Sequence, residues 1–137
     1  MEILTCDMVE MLKAAILDEK EAAGFYEMLA EAAPDAEIRQ KIINIRRKEL
    51  MHFELLQEIF ADITGREYPV NTKIAGETGS FGEGLKTAIC GELEAAEKYA
   101  ELACCLPCMR HKEQIISILN DEKCHAKVLF AIFEEMR

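Results

Sequence analysis

The sequence predicts an all-α protein: an antiparallel four-helix bundle built from two repeated helical hairpins joined by a long crossover. Three observations lead there. Apolar residues recur at alternating steps of four and three, the buried seam of a bundle helix. The 137 residues are 50% hydrophobic with 7% aromatic and no tryptophan, and are rich in Ala, Leu, Ile, Met, Glu and Lys, which favours helix over sheet. The chain also repeats itself at an offset of 73 residues. That offset pairs Leu12 with Leu85, Ile16 with Ile89, Glu19 with Glu92, Tyr26 with Tyr99, Pro34 with Pro107, Ile42 with Ile115 and Ile45 with Ile118.

The first helix carries its stripe on Leu12, Ile16, Glu19, Ala23 and Tyr26, and Pro34-Asp35 turns it into the second. The second runs its seam through Ile38, Ile42, Ile45, Glu49, His52, Leu56 and Ile59. A stretch from about 62 to 84 then holds five of the seven glycines and Tyr68-Pro69, so it reads as the crossover between hairpins. Ser80 followed by Glu83 has the spacing of a capping box opening the third helix. That helix repeats the first through Leu85, Ile89, Glu92, Ala96 and Tyr99, and Leu106-Pro107 turns into the fourth. The fourth repeats the second through Ile115, Ile118, Glu122, His125, Leu129, Ile132 and Met136. The expected organisation is one domain over residues 1–137, with repeat one at about 6–61, a crossover at about 62–84 and repeat two at about 85–137.

Four glutamates and two of the three histidines fall in this apolar seam. Glu49 with His52, and Glu122 with His125, are Glu-x-x-His pairs, and residues three apart project from the same helix face. Glu19 and Glu92 stand thirty residues before each pair, one on each remaining helix. Four uncompensated interior carboxylates would each cost several kcal/mol or take up protons. Two divalent cations would balance them, with neutral imidazoles completing the set. Carboxylate and imidazole donors without thiolate suit iron or manganese rather than structural zinc.

On these residues the chain resembles the ferritin-like superfamily, and its rubrerythrin-like branch in particular. The resemblance covers all four helices, about 110 residues, and rests on one Glu from each of two helices plus Glu-x-x-His from the other two. It implies a pair of iron ions, with manganese or a mixed pair as variants. Glu49 and Glu122 would bridge them, Glu19 and His52 would complete one metal, and Glu92 and His125 the other. Tyr26 and Tyr99 match tyrosines that hydrogen-bond ligand carboxylates across the bundle; on their own they read equally as core aromatics with satisfied hydroxyls. The implied activity is reduction of hydrogen peroxide or dioxygen, the metals cycling between ferrous and ferric. Ferroxidase or iron-handling activity is the alternative, and a non-catalytic metal-binding interaction bundle is a rival of another class.

The chain departs from the rubrerythrin-like pattern in three places. Ala95 stands where a further glutamate often follows the third-helix ligand, and Glu94 and Glu97 lie off the seam. The thirty-residue ligand spacing is slightly short, and the paired Cys-x-x-Cys of an iron-sulfur domain is missing, so electrons would come from an external donor protein such as a rubredoxin.

A formal net charge of -10 argues against nucleic acid or an anionic membrane as partner. The first seven residues lack the basic-then-apolar pattern of a secretory signal, and no apolar run reaches membrane-spanning length, so a cytoplasmic protein with reduced thiols is expected. A long crossover between hairpins also permits exchange into a homodimer. Cys104 and the Cys105-Leu-Pro-Cys108 turn read first as small packed side chains, then as a redox dithiol or a small metal site with His111. Cys90 and Cys124 point away from the adjacent ligands, Cys6 carries no signal, and the methionines read as core filler. His111 lies two heptads before His125, about 21 Å along the axis by helical rise, too far to share its centre.

Overall fold

The computed structural model describes residues 7–71, 76 and 78–137. The reading of the first residues, and of Cys6, falls outside that range. Four helices follow in order: α1 Met8–Glu31, α2 Ala36–Thr64, α3 Phe81–Cys105 and α4 Met109–Glu135. Helix α1 packs closely on α2 and α3 on α4, giving an all-α bundle of two hairpins.

Local chemistry sets the ends. Asp7 and Asp35 begin α1 and α2 by accepting the backbone N–H of Glu10 at 3.2 Å and of Ile38 at 2.8 Å. Ser80 begins α3: its hydroxyl accepts the Glu83 N–H at 3.2 Å and donates to the Glu83 carboxylate at 3.1 Å. Helix α2 outlasts its expected end because Gly65, at φ 88°, supplies the left-handed cap and donates to the Ala61 carbonyl. The link between the hairpins is therefore shorter than expected, running from Gly65 to Ser80.

Two apolar clusters fill the interior, each drawing on all four helices. One joins the start of α1 (Leu12, Ile16) to the end of α2 (Leu56, Ile59), the end of α3 (Leu102) and the start of α4 (Ile115, Ile118). The other joins the end of α1 (Leu29), the start of α2 (Ile42, Ile45), the start of α3 (Leu85) and the end of α4 (Leu129, Ile132). Helices α1 and α4 thus run one way and α2 and α3 the other. Since α2 ends in the first cluster and α3 starts in the second, the crossover must travel the height of the bundle. It starts against α2, where the Gln57 amide donates to the Tyr68 carbonyl at 2.7 Å and accepts its N–H at 2.8 Å. At the other end α3 comes close to α1: a Cβ on Gly84 would lie 2.6 Å from Leu29 Cδ1, so only glycine fits without displacing that core leucine.

Several expectations for single residues need correcting. None of the described methionines is buried, and Met51, Met109 and Met136 are among the exposed large apolar side chains. The seam is filled by Leu and Ile, whose branched shapes pack in defined rotamers. Met136, expected in the α4 seam, lies one residue past the helix as its C-cap, where the bundle offers nothing to cover it. Cys104 is exposed, so it is not packed. Cys105 is disulfide-bonded, against the expectation of reduced thiols throughout, and its bond is not to Cys108, which is a free thiol. His111 is buried and ties α4 to the last turn of α2, donating from Nε2 to Asp62 at 3.0 Å.

Candidate metal centre

The six seam residues meet in a layer between the two apolar clusters. Glu19, Glu49, His52, Glu92, Glu122 and His125 are all buried, with Glu49 and Glu122 each 1% exposed. Their donor atoms form two overlapping tetrads: Glu19, Glu49, His52 and Glu122 in one, and Glu49, Glu92, Glu122 and His125 in the other, the atoms of each lying within 4.8 Å of one another. Among the described residues these are the only groups of three or more His, Cys, Asp or Glu side chains that converge in this way. The Cys104–Cys108 turn and His111 form no such group.

Each tetrad takes a residue from α1 or α3 and the Glu-x-x-His faces of α2 and α4. Glu49 and Glu122 belong to both because α2 and α4 are neighbours in the bundle and bring these two carboxylates together. The imidazole rings of His52 and His125 lie 6.1 Å apart, centroid to centroid, and 28° from parallel.

Within the layer His125 Nδ1 is hydrogen-bonded to Glu92 Oε2 at 3.1 Å, but the other Glu–His contacts are close yet poorly directed as hydrogen bonds. His52 Nδ1 is 3.0 Å from Glu122 Oε1 and 3.6 Å from Glu19 Oε2, yet none of these three atoms has a hydrogen-bond partner. Glu49 Oε1 is equally unpartnered although His125 Nδ1 is 3.0 Å away. The distances would serve; the angles do not, because the atoms point at common centres rather than at each other. Unsatisfied buried oxygens and nitrogens cost about 1–3 kcal/mol apiece. Oxygen and imidazole donors converging on common centres are the donor set of a hard or borderline divalent cation, and the residues fit such ions.

Electrostatics say the same. Burial, reinforced by the charge of Glu19, pushes the Glu49 carboxyl up to about 12 against the contact with His125. Burial and the adjoining Glu92 and Glu19 push Glu122 up to about 11. For His125 burial acts downward, but its close contacts with the Glu49 and Glu92 carboxylates prevail and raise it to about 9; His52 is raised in the same way by Glu19 and Asp121. Without metal the layer can balance its charge only by holding protons.

The two tyrosines reach across the bundle in a swapped pair. Tyr26 of α1 donates to Glu92 Oε2 on α3 at 2.9 Å, and Tyr99 of α3 donates to Glu19 Oε1 on α1 at 2.6 Å. Burial and these carboxylates hold both phenols well above their ordinary range, so each stays a proton donor. We expect Tyr99→Phe to destabilise the metal-free chain by about 1–3 kcal/mol, the value of a buried hydrogen bond to a charged group; thermal unfolding in chelator checks it.

One participant was missed in the sequence. Asp121 Oδ2 accepts from His52 Nε2 at 2.8 Å, with its side chain 32% exposed. Its only signal was its place directly before Glu122. As expected, Glu94, Glu97, Cys90 and Cys124 are exposed and outside the centre.

A cleft of about 1400 Å³ opens between α1 and α3 and reaches Glu19, Glu49, Glu92, Glu122 and both tyrosines. Small side chains such as Ala22, Ala88, Gly91 and Ala95 line it.

Fold and layer together define a class: a four-helix bundle, compatible with a ferritin-like fold, whose buried Glu and His groups can hold a metal ion. The chain belongs to the family of YhjR, an uncharacterized protein of Bacillus subtilis (strain 168), to which it is 30% identical over 120 residues, spanning 87% of this chain and 81% of that protein. No family model matches it. The solved structure of a hypothetical protein from Pyrococcus furiosus shares the fold with a TM-score of 0.84, covering 93% of this chain and 89% of that one at 24% identity. No helix among the described residues is long and apolar enough to cross a membrane.

Proposed function

We propose that this protein is a rubrerythrin-like di-iron oxidoreductase that reduces hydrogen peroxide, or dioxygen, at a centre of four glutamates and two histidines. The observation that carries the reading is the sharing of Glu49 and Glu122 between two tetrads. A single-ion site has no use for six converging ligands, whereas two adjacent ions need carboxylates common to both. Reducing one peroxide to two waters takes two electrons and two protons, and a pair of ferrous ions supplies one electron each when bound.

The remaining work belongs to the chain. Glu49 and Glu122, common to both tetrads, would hold both ions. Tyr26 and Tyr99 hold Glu92 and Glu19 in place and keep hydroxyl protons at the inner end of the cleft. The apolar clusters above and below confine access to that cleft. A small oxidant enters readily between Ala and Gly side chains. Electrons to restore the ferrous state come from an external donor protein, because the layer contains no other redox group.

The test is direct. Protein loaded anaerobically with ferrous iron should oxidise on addition of peroxide, gaining near-ultraviolet absorption of ferric carboxylates, and should turn over with a reductant. Metal uptake without turnover would support the non-catalytic binding reading instead, and turnover only with dioxygen and excess ferrous iron would support a ferroxidase.

A further inference from the structure

The 73-residue repeat carries all six Glu and His residues of the layer and both tyrosines into register, while several of their sequence neighbours differ, one pair with a consequence for the site. Position 121, directly before Glu122, is aspartate; its counterpart directly before Glu49 is Lys48. The break has a geometric consequence. His52 turns Nδ1 toward the centre, 3.0 Å from Glu122 and 3.6 Å from Glu19, and its Nε2 donates to Asp121 at 2.8 Å. His125 also turns Nδ1 inward, 3.0 Å from Glu49 and 3.1 Å from Glu92. Its Nε2, however, has no partner among the described residues, and Lys48 is exposed and carries no lone pair to offer.

We propose that the two metal positions are inequivalent: Asp121 makes the position formed by Glu19, Glu49, His52 and Glu122 the tighter one, filled first, and Lys48 leaves the position formed by Glu49, Glu92, Glu122 and His125 weaker and exchangeable. This rests on the di-metal reading above. A carboxylate that accepts the outer N–H of a ligand imidazole fixes its tautomer, stops the ring from rotating and strengthens its donation to the metal. Losing such a partner costs about 10–100-fold in metal affinity. His52 has that support and His125 does not, so the expected gap between the two positions is of that order. Asp121 acts through His52; it is a positioning residue.

Cobalt(II) titrated anaerobically, followed by its visible absorption and by calorimetry, tests this. The wild-type chain should bind in two resolved steps. His52→Ala should remove the tight step and leave the weak one, and His125→Ala the reverse. Asp121→Ala should weaken only the tight step, by roughly 10–100-fold, with Asp121→Asn, which still accepts the N–H, falling between. The gain-of-function arm does not depend on those variants folding: Lys48→Asp should place a carboxylate opposite His125 and tighten the weak step alone. Two cobalt ions bound in one indistinguishable class, or an Asp121→Ala effect shared equally by both steps or absent, would overturn the inequivalence while leaving the di-metal reading intact. No cobalt uptake at all would overturn that reading, and the inference with it.

Discussion

Glu122→Ala is expected to leave a folded bundle that no longer loads two divalent ions, and Glu49→Ala to do the same. Each of these carboxylates belongs to both tetrads, so removing either takes a ligand from both positions and leaves a single carboxylate common to them. A ligand belonging to one tetrad, such as Glu92, should by contrast lower only one position when lost. The shape-conserving Glu122→Gln separates site from scaffold. Burial forces Glu122 to hold a proton, with its carboxyl raised to about 11. An amide of the same shape removes that demand, so the metal-free variant should gain stability, by about 1–4 kcal/mol on the scale found when buried charged groups are replaced. Elemental analysis measures the metal content and thermal unfolding in chelator the stability. A glutamate whose role was to stabilise the bundle would give the opposite result, retained metal and a weakened fold.

The second large effect is on pH dependence, and metal should reverse it. Glu49 and Glu122 are raised from 4.5 to about 12 and about 11, and His125 from 6.5 to about 9, with His52 raised in the same direction. Every one of these groups binds its proton more tightly in the folded chain than in the unfolded one. Their contribution to stability is therefore full below the unfolded values and is lost as pH rises through the folded ones. The metal-free protein should lose melting temperature steadily from about pH 5 to about pH 9. Divalent cations displace those same protons, so metal affinity should rise with pH and the loaded protein should hold its melting temperature over that range. Near neutral pH, loading two ions should release up to four protons, one from each of these groups, measurable by an indicator dye in weak buffer.

The convergence of the buried Glu and His side chains was legible in the sequence because of the repeat. A lone seam glutamate is ambiguous, but four at fixed offsets, with two histidines, converge once the seam is drawn on helices. What periodicity could not give was the register between hairpins. It placed Tyr26 and Tyr99 inward but not the swap by which Tyr26 reaches Glu92 and Tyr99 reaches Glu19. Asp121 was hidden for the same reason: its partner His52 sits on another helix, and its neighbours in sequence say only that it borders the seam.

Outside the centre the misses have local causes. Asp62 was assigned to the crossover, but Gly65 caps α2 late enough to keep Asp62 helical and opposite His111. The methionines resemble core residues in composition, while the actual packing leaves Met51 60% and Met109 66% exposed. Cys105 and Cys108 form a redox motif by spacing alone, and the separation of their fates was visible only in three dimensions.

The measurement that tests the central claim most directly is elemental analysis of protein purified without oxygen and reloaded with ferrous iron. Two iron ions per folded chain, lost together in Glu122→Ala, is the predicted result. A folded chain that takes up none, or holds a single ion unaffected by that substitution, would contradict it.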